Sequence, residues 1–260
     1  MVRHRVHPPV RRPYSGAVTG IRAVADDLGG DPGAVTLARA DTPHGEVALR
    51  RRGTVLELVV DGAFAMDTVD TSTEVSLAEH ALRRHPDPRR VLVGGLGLGM
   101  TARAVLADPR VGLADVVELA QPLVGWAREG LVTELAGLEG ERCTLHVADV
   151  LDVLEGAAGP RGPWDVVLLD VDNGPDFLVH ASNAPLYEPR GLAAARSALR
   201  PGGLLVVWSS HVAPALDAAL REVAGEGDEV TEQVIEVERE GRAFRYAQYS
   251  LARSAGALRG

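Results

Sequence analysis

Three carboxylates close three consecutive apolar runs in the middle of the chain: Glu118 ends DVVE, Asp149 ends TLHVAD and Asp170 ends DVVLLD. Just ahead of them, RRVLVGGLGLGMTARAVL sets Gly94, Gly95, Gly97 and Gly99 between an apolar run and a helix-like segment. A glycine loop that opens a helix offers unpaired backbone N–H groups to a ligand at the carboxyl edge of a sheet. Glu118, 21 residues beyond Gly97, stands where an acid can accept both hydroxyls of a ribose. Asp149, beside a backbone amide, can read the exocyclic amine and ring edge of adenine, and Asp170 would project into the centre of the crevice. One strand-end acid is commonly a helix cap. Three of them on consecutive strands beside one glycine loop point to a bound nucleoside.

The elements that must position these groups alternate. From Arg89 onward, strand-like runs (RRVLVGG, ADVVELA, CTLHVADV, WDVVLLDVD, PGGLLVVWSS) are separated by helix-like segments. Strands apolar on successive residues belong to a parallel sheet covered on both faces, hence a doubly wound α/β unit. The last segment, TEQVIEVEREGRAFRYAQYSLARS, alternates polar and apolar residues about EREGR and predicts an antiparallel hairpin at the sheet edge. Ahead of the α/β unit, GAVTLARA, GEVALRRRG and TVLELVVDG are short strand candidates. The expected organisation is a basic N-terminal segment over 1–31, a small β module over 32–75 and the α/β domain over 76–260.

Composition removes several chemistries. All 27 Lys+Arg residues are arginine, so Schiff-base catalysis and the lysine of a Walker A loop are excluded. A single cysteine, Cys143, rules out a disulfide framework and a multi-cysteine zinc site, and no His and carboxylate cluster has metal-ligand spacing, so no metal is expected. A net charge of −9 argues against nucleic acid as a partner, apart from the local run with Arg3, Arg5, Arg11 and Arg12, which is read as a solvated tail. No apolar run reaches the roughly 18 residues of a membrane span. The expectation is a cytoplasmic enzyme with a small-molecule acceptor and no membrane partner.

Gly97-Leu98-Gly99-Met100-Thr101-Ala102 satisfies the G-x-G-x-x-A fingerprint, and Glu118 would serve either a nicotinamide dinucleotide or an adenosyl sulfonium. Too little chain remains for a hydride-acceptor domain. LRPGGLLVVW before the fifth strand of the α/β unit, with the terminal hairpin, fits instead the Rossmann-like class I methyltransferase fold with a seven-stranded mixed sheet.

From about Leu56 to Ser254 the chain resembles the spermidine synthases, or polyamine aminopropyltransferases. GLGLGMTARAVL is similar to that family's GGGDGGTAREVL, VVEL to its VEID, VADV to its GDA, LLDVDNGP to its catalytic DSSDPxGP and LRPGG to its LxPGG. The resemblance implies an adenosyl sulfonium donor, Asp170 as the catalytic residue, and Gly95, Gly97, Leu98, Gly99, Glu118, Leu119, Asp149, Val150 and Asp170 as the cofactor-binding set. Glu74, Asp172, Asn173 and Tyr187 are the candidate substrate contacts. His180 and Asn183 on the loop beyond Asp170, and Trp208, Ser209 and His211 at the mouth, are weighed beside ordinary structural roles. The resemblance also implies a homodimer paired through the N-terminal β module.

Departures fall on the substrate side. Leu98 stands where the family keeps an acid that meets the donor's aminopropyl amine, Ala65 replaces a Gln, Glu74 and Val75 replace a Tyr and His, and Asn173 replaces an Asp. Leucine cannot pair a buried ammonium. This reading therefore expects the carboxylate-bearing donor, S-adenosylmethionine, and methyl transfer to a small acceptor such as an amine. Aminopropyl transfer from decarboxylated S-adenosylmethionine is the alternative, and a non-catalytic nucleoside-binding protein a further one.

Overall fold

A computed structural model describes residues 33–131, 133–176, 178, 180–239 and 242–256. The expected basic segment over 1–31 lies outside them. The chain opens with four antiparallel strands in sequential order, β1 (Ala34–Thr42), β2 (Gly45–Arg52), β3 (Val55–Val60) and β4 (Ala63–Asp67). The fourth is the strand the sequence pattern missed. It is short and exposed at its start, so it carries no clean alternation.

Helix α1 (Ser72–Arg84) then leads into the main sheet, crossing the boundary expected near residue 75. The α/β unit contains β5 (Arg90–Gly94), α2 (Met100–Ala107), β6 (Leu113–Glu118), α3 (Gln121–Arg128), β7 (Cys143–Val147), α4 (Val150–Leu154) and β8 (Trp164–Leu169). It continues through a 3-10 turn (Ala181–Asn183), α5 (Ala184–Tyr187), α6 (Pro189–Ala198), β9 (Leu199–Ser209), α7 (Pro214–Val223) and the hairpin β10 (Glu229–Arg239) and β11 (Arg242–Ala252). The seven strands lie in the order β10-β11-β9-β8-β5-β6-β7. All neighbours are parallel except those involving the hairpin, which pairs antiparallel with β9. This is the Rossmann-like sheet that the sequence implied.

The period-two alternation of the central strands divides the core in two. Val91 and Val93, Val166 and Leu168, Leu204 and Val206 face one side with α1, α2 and α3. Leu92, Val167 and Leu169, Leu205 and Val207 face the other with α4, α6 and α7. Val47, Leu49, Leu56 and Leu58 from the N-terminal sheet join the first cluster, so that sheet shares a core with the α/β unit rather than standing apart.

One buried carboxylate ties the sheet together away from the strand ends. Asp115, 3% exposed, accepts from Arg90 Nη2 (3.0 Å) and Trp164 Nε1 (2.9 Å), and meets His146 Nε2 at 3.0 Å. A buried charge persists only when paired and hydrogen-bonded, which accounts for the arginine, the indole and the histidine around it. His146 is thereby a structural partner, as its place inside a strand implies.

Strand order reverses about β5, which lies between β6 and β8. Such a switch point opens a crevice at the carboxyl ends of the strands, where Glu118 and Asp170 emerge.

Candidate active site

The turn from β5 to α2 is a backbone built for close approach. Gly95 takes φ 95°, and a Cβ there would sit 2.1 Å from the carbonyl oxygen of Asp170. Only glycine allows the loop to lie on β8 in this way. Gly97, at φ 50°, is covered by Met66 of β4, whose sulfur would be 2.7 Å from an added Cβ. Strand β4 therefore reaches over the loop and brings Met66 into the cavity wall. No motif in the sequence announced it.

Glu118 follows expectation in place and adds detail in bonding. Its Oε2 accepts from Leu96 N (2.9 Å) and its Oε1 from Ala120 N (2.8 Å). Burial pushes its carboxyl above the ordinary carboxylate range, against the opposing pull of these backbone N–H groups. Each oxygen has a second lone pair, so the carboxylate can still accept a ribose hydroxyl while its orientation is set by the loop. Asp149 caps α4 through Leu151 N (2.8 Å) and lines the same cavity as Leu119 and Val150. The capping role thus leaves this residue in the cavity wall.

Asp170 stands just past β8. Its N–H donates to Gly94 O (2.9 Å), and its Oδ2 accepts from Thr101 Oγ1 at 2.6 Å. Burial raises its carboxyl from 3.8 to about 7, with the charge of Glu74 adding to the rise and the Thr101 hydroxyl opposing it. A carboxyl that exchanges its proton near neutrality is suited to general base work. Thr101 was not singled out from the sequence. The signal available was its place in the first turn of the helix that follows the glycine loop.

The loop after Asp170 folds over the site. Asp172 adopts φ 56° and gathers this loop, accepting from Asn183 Nδ2 (2.8 Å) and His180 N (3.3 Å). Asn173 O accepts from Ser210 N (3.2 Å) and Ser210 Oγ (2.6 Å), tying the loop to the end of β9. Asp172, Asn173, His180, Asn183 and Trp208 all line the cavity. His211 instead pairs with Asp176 at 2.7 Å, and Ser209 is buried behind the wall.

Three expected contacts lie elsewhere. Leu98 is 0% exposed and packed into the core, with only its N–H directed to Met66 Sδ (3.3 Å). The left-handed conformations of Gly97 and Gly99 on either side reverse the chain there, so a leucine at this position is a core residue. Gly99 caps α2 and backs onto Leu138 and Leu135, behind the cavity. Tyr187 is buried, and its hydroxyl donates to Val171 O, so it supports the loop from beneath.

The resulting cavity has a decided charge. Among the described residues it is lined by five acids, Glu74, Glu118, Asp149, Asp170 and Asp172, with His180 as the one basic side chain type and no arginine. The apolar part of the wall includes Val47, Leu58, Val60, Met66, Leu96 and Met100. The described residues contain no group of three or more His, Cys, Asp or Glu that could hold a metal ion. None of their helices is long and apolar enough to cross a membrane.

Comparison with known proteins places this geometry in context. The model of the spermine/spermidine synthase domain matches residues 71–234. The polyamine aminopropyltransferase of Mycobacterium tuberculosis is 35% identical over 174 residues, covering 66% of this chain and 32% of that protein. Polyamine aminopropyltransferase 1 of Hyperthermus butylicus is 31% identical over 166 residues, covering 62% and 55% respectively. The matched part thus spans about a third to a half of these relatives' length. In three dimensions the chain is similar to a spermidine synthase crystallised with the transition state analogue AdoDATO, with TM-score 0.68, 16% identity and coverage of 86% of this chain and 75% of that one. The spermidine synthase of Thermotoga maritima gives TM-score 0.65, 19% identity and coverage of 85% and 73%. At these identities the structural likeness concerns the fold.

Proposed function

The chain belongs to the spermine/spermidine synthase family, and from that membership together with the charge of its cavity we propose that it transfers an aminopropyl group from decarboxylated S-adenosylmethionine to an amine. The observation that carries this reading is a wall that, among the described residues, is lined by acids and holds no arginine. A donor that keeps its carboxylate would find no arginine among the described lining residues to pair it, and five acids nearby to oppose it. A cationic tail and an amine acceptor suit the same wall. Methyl transfer was expected from Leu98 facing the donor, and that premise fails because the side chain lies in the core. The curated relatives, named as aminopropyltransferases, support the same choice.

In this reading Glu118 holds the ribose and Asp149 the adenine edge, with the backbone of the glycine loop alongside. The donor supplies a carbon already activated by its sulfonium. Asp170 accepts the proton of the attacking amine, whose lone pair forms the new C–N bond as the C–S bond breaks and its electron pair returns to sulfur. Methylthioadenosine and an aminopropylated amine result. Positioning does most of the work, because a sulfonium needs no further activation. Thr101 steadies the carboxylate that receives the proton.

Incubation with a diamine and each donor separately tests the reading. Methylthioadenosine should form from the decarboxylated donor. Formation of S-adenosylhomocysteine from the ordinary donor would reinstate methyl transfer, and binding of both donors without turnover would point to a nucleoside-binding protein.

A further inference from the structure

We propose that Glu74 is the specificity-determining carboxylate of this site, holding a substrate ammonium group beside the proton-accepting Asp170. The inference deepens the aminopropyl-transfer reading and rests on it for the identity of the ligands.

The residue has an obvious structural employment that it does not take. Thr71-Ser72-Thr73-Glu74 matches the capping-box pattern, in which the Glu side chain reaches back to the N-cap amide. Here Thr71 makes no side-chain capping bond, and Asp70 Oδ1 accepts from Ser72 N (3.0 Å) instead. Glu74 Oε2 accepts from Thr73 Oγ1 (2.7 Å), and the residue lines the cavity.

Its neighbours fix its position relative to the chemistry. Thr101 Oγ1, which bonds Asp170, lies 3.4 Å from the carbonyl oxygen of Glu74, so first turns of α1 and α2 meet beside Asp170. Two carboxylates are thus brought together in a cavity wall that also includes the apolar side chains of Met66, Met100 and Trp208. Like charges crowded at an apolar surface repel and lose hydration, and a ligand cation between them relieves both costs. The two acids then divide the work. Asp170 takes a proton from the nitrogen that attacks, while Glu74 pairs with a nitrogen that stays charged. That ammonium belongs either to the donor's aminopropyl tail or to the far end of the acceptor.

Binding of three probes to Glu74→Gln separates these sources without requiring turnover. The probes are decarboxylated S-adenosylmethionine, a short alkyl diamine in the presence of methylthioadenosine, and methylthioadenosine alone. Glutamine retains the shape and any capping ability, so a fold-based role predicts no change. Loss of a paired charge predicts a roughly 10- to 100-fold weaker affinity for the ammonium-bearing probe. Loss confined to the decarboxylated donor assigns the donor tail, loss confined to the diamine assigns the acceptor, and loss of both assigns a shared position. Methylthioadenosine affinity should stay the same, and Glu74→Asp should recover part of the loss. Unchanged affinity for both amines, or an equal fall for methylthioadenosine, would overturn the proposal. Aminopropyl transfer by the wild-type protein with an unaffected Glu74→Gln would overturn this inference alone, whereas Glu74-dependent amine binding without transfer would overturn the functional reading alone.

Discussion

Replacing Asp170 with Asn should make the protein more stable in mild alkali while abolishing most of its activity. The carboxyl is raised from 3.8 to about 7 in the folded chain, first by burial and then by Glu74. Between those values the folded state keeps a proton that the unfolded state has released, so wild-type stability falls as pH rises through this window. The slope is at most about 1.4 kcal/mol per pH unit, giving roughly 3 kcal/mol between pH 5 and 7, and water in the open cavity lowers it. For a chain of this size that corresponds to a shift in Tm of the order of 5–10 °C. Urea denaturation of both proteins from pH 5 to 8 provides the assay, because Glu118 and the histidines contribute equally to each and cancel in the difference. The Asn variant should match or exceed wild type at pH 8, with the difference shrinking toward pH 5. Its turnover should drop by roughly 10²- to 10⁴-fold, the range supplied by a general base. Parallel pH profiles for the two proteins would refute the claim that Asp170 is held in a costly charged state.

Thr101→Val removes the hydroxyl that favours the charged carboxylate, so the acid limb of the pH profile of kcat/KM should move to higher pH; an unmoved limb would show that the 2.6 Å bond has no bearing on the proton acceptor. Glu118→Gln should weaken methylthioadenosine binding by roughly 10- to 100-fold in titration calorimetry, since an amide turns a donor toward Leu96 N or Ala120 N and cannot serve both. Asp115→Ala strips Arg90, Trp164 and His146 of their shared partner and should cost about 3–5 kcal/mol in urea unfolding, far from the cavity.

Much of this site was legible because strand and helix alternation decides which residues end at the carboxyl edge of a parallel sheet. Glu118, Asp149 and Asp170 were found in that way, and the fold with them. What the pattern does not carry is rotation within a loop. Leu98 sits among glycines that place their neighbours near a ligand, yet Gly97 and Gly99 reverse the chain so that the leucine enters the core. Tyr187 has a polar tip that suits a substrate, and a backbone carbonyl of the same loop takes it. Met66 and Thr101 reach the site through packing of β4 against the glycine loop and of α1 against α2, contacts between segments whose spacing in sequence gives no hint of them. Glu74 is intermediate: its place was noted, while its freedom from the capping role required the helix to be seen.

The central claim is that this acid-lined cavity transfers an aminopropyl group. Its most direct test offers the protein equal amounts of ordinary and decarboxylated S-adenosylmethionine with a mixture of short amines, and identifies the modified acceptor by mass spectrometry. The account predicts an amine enlarged by one aminopropyl group, with no methylated product. An amine carrying a new methyl group, and none carrying an aminopropyl group, would contradict it.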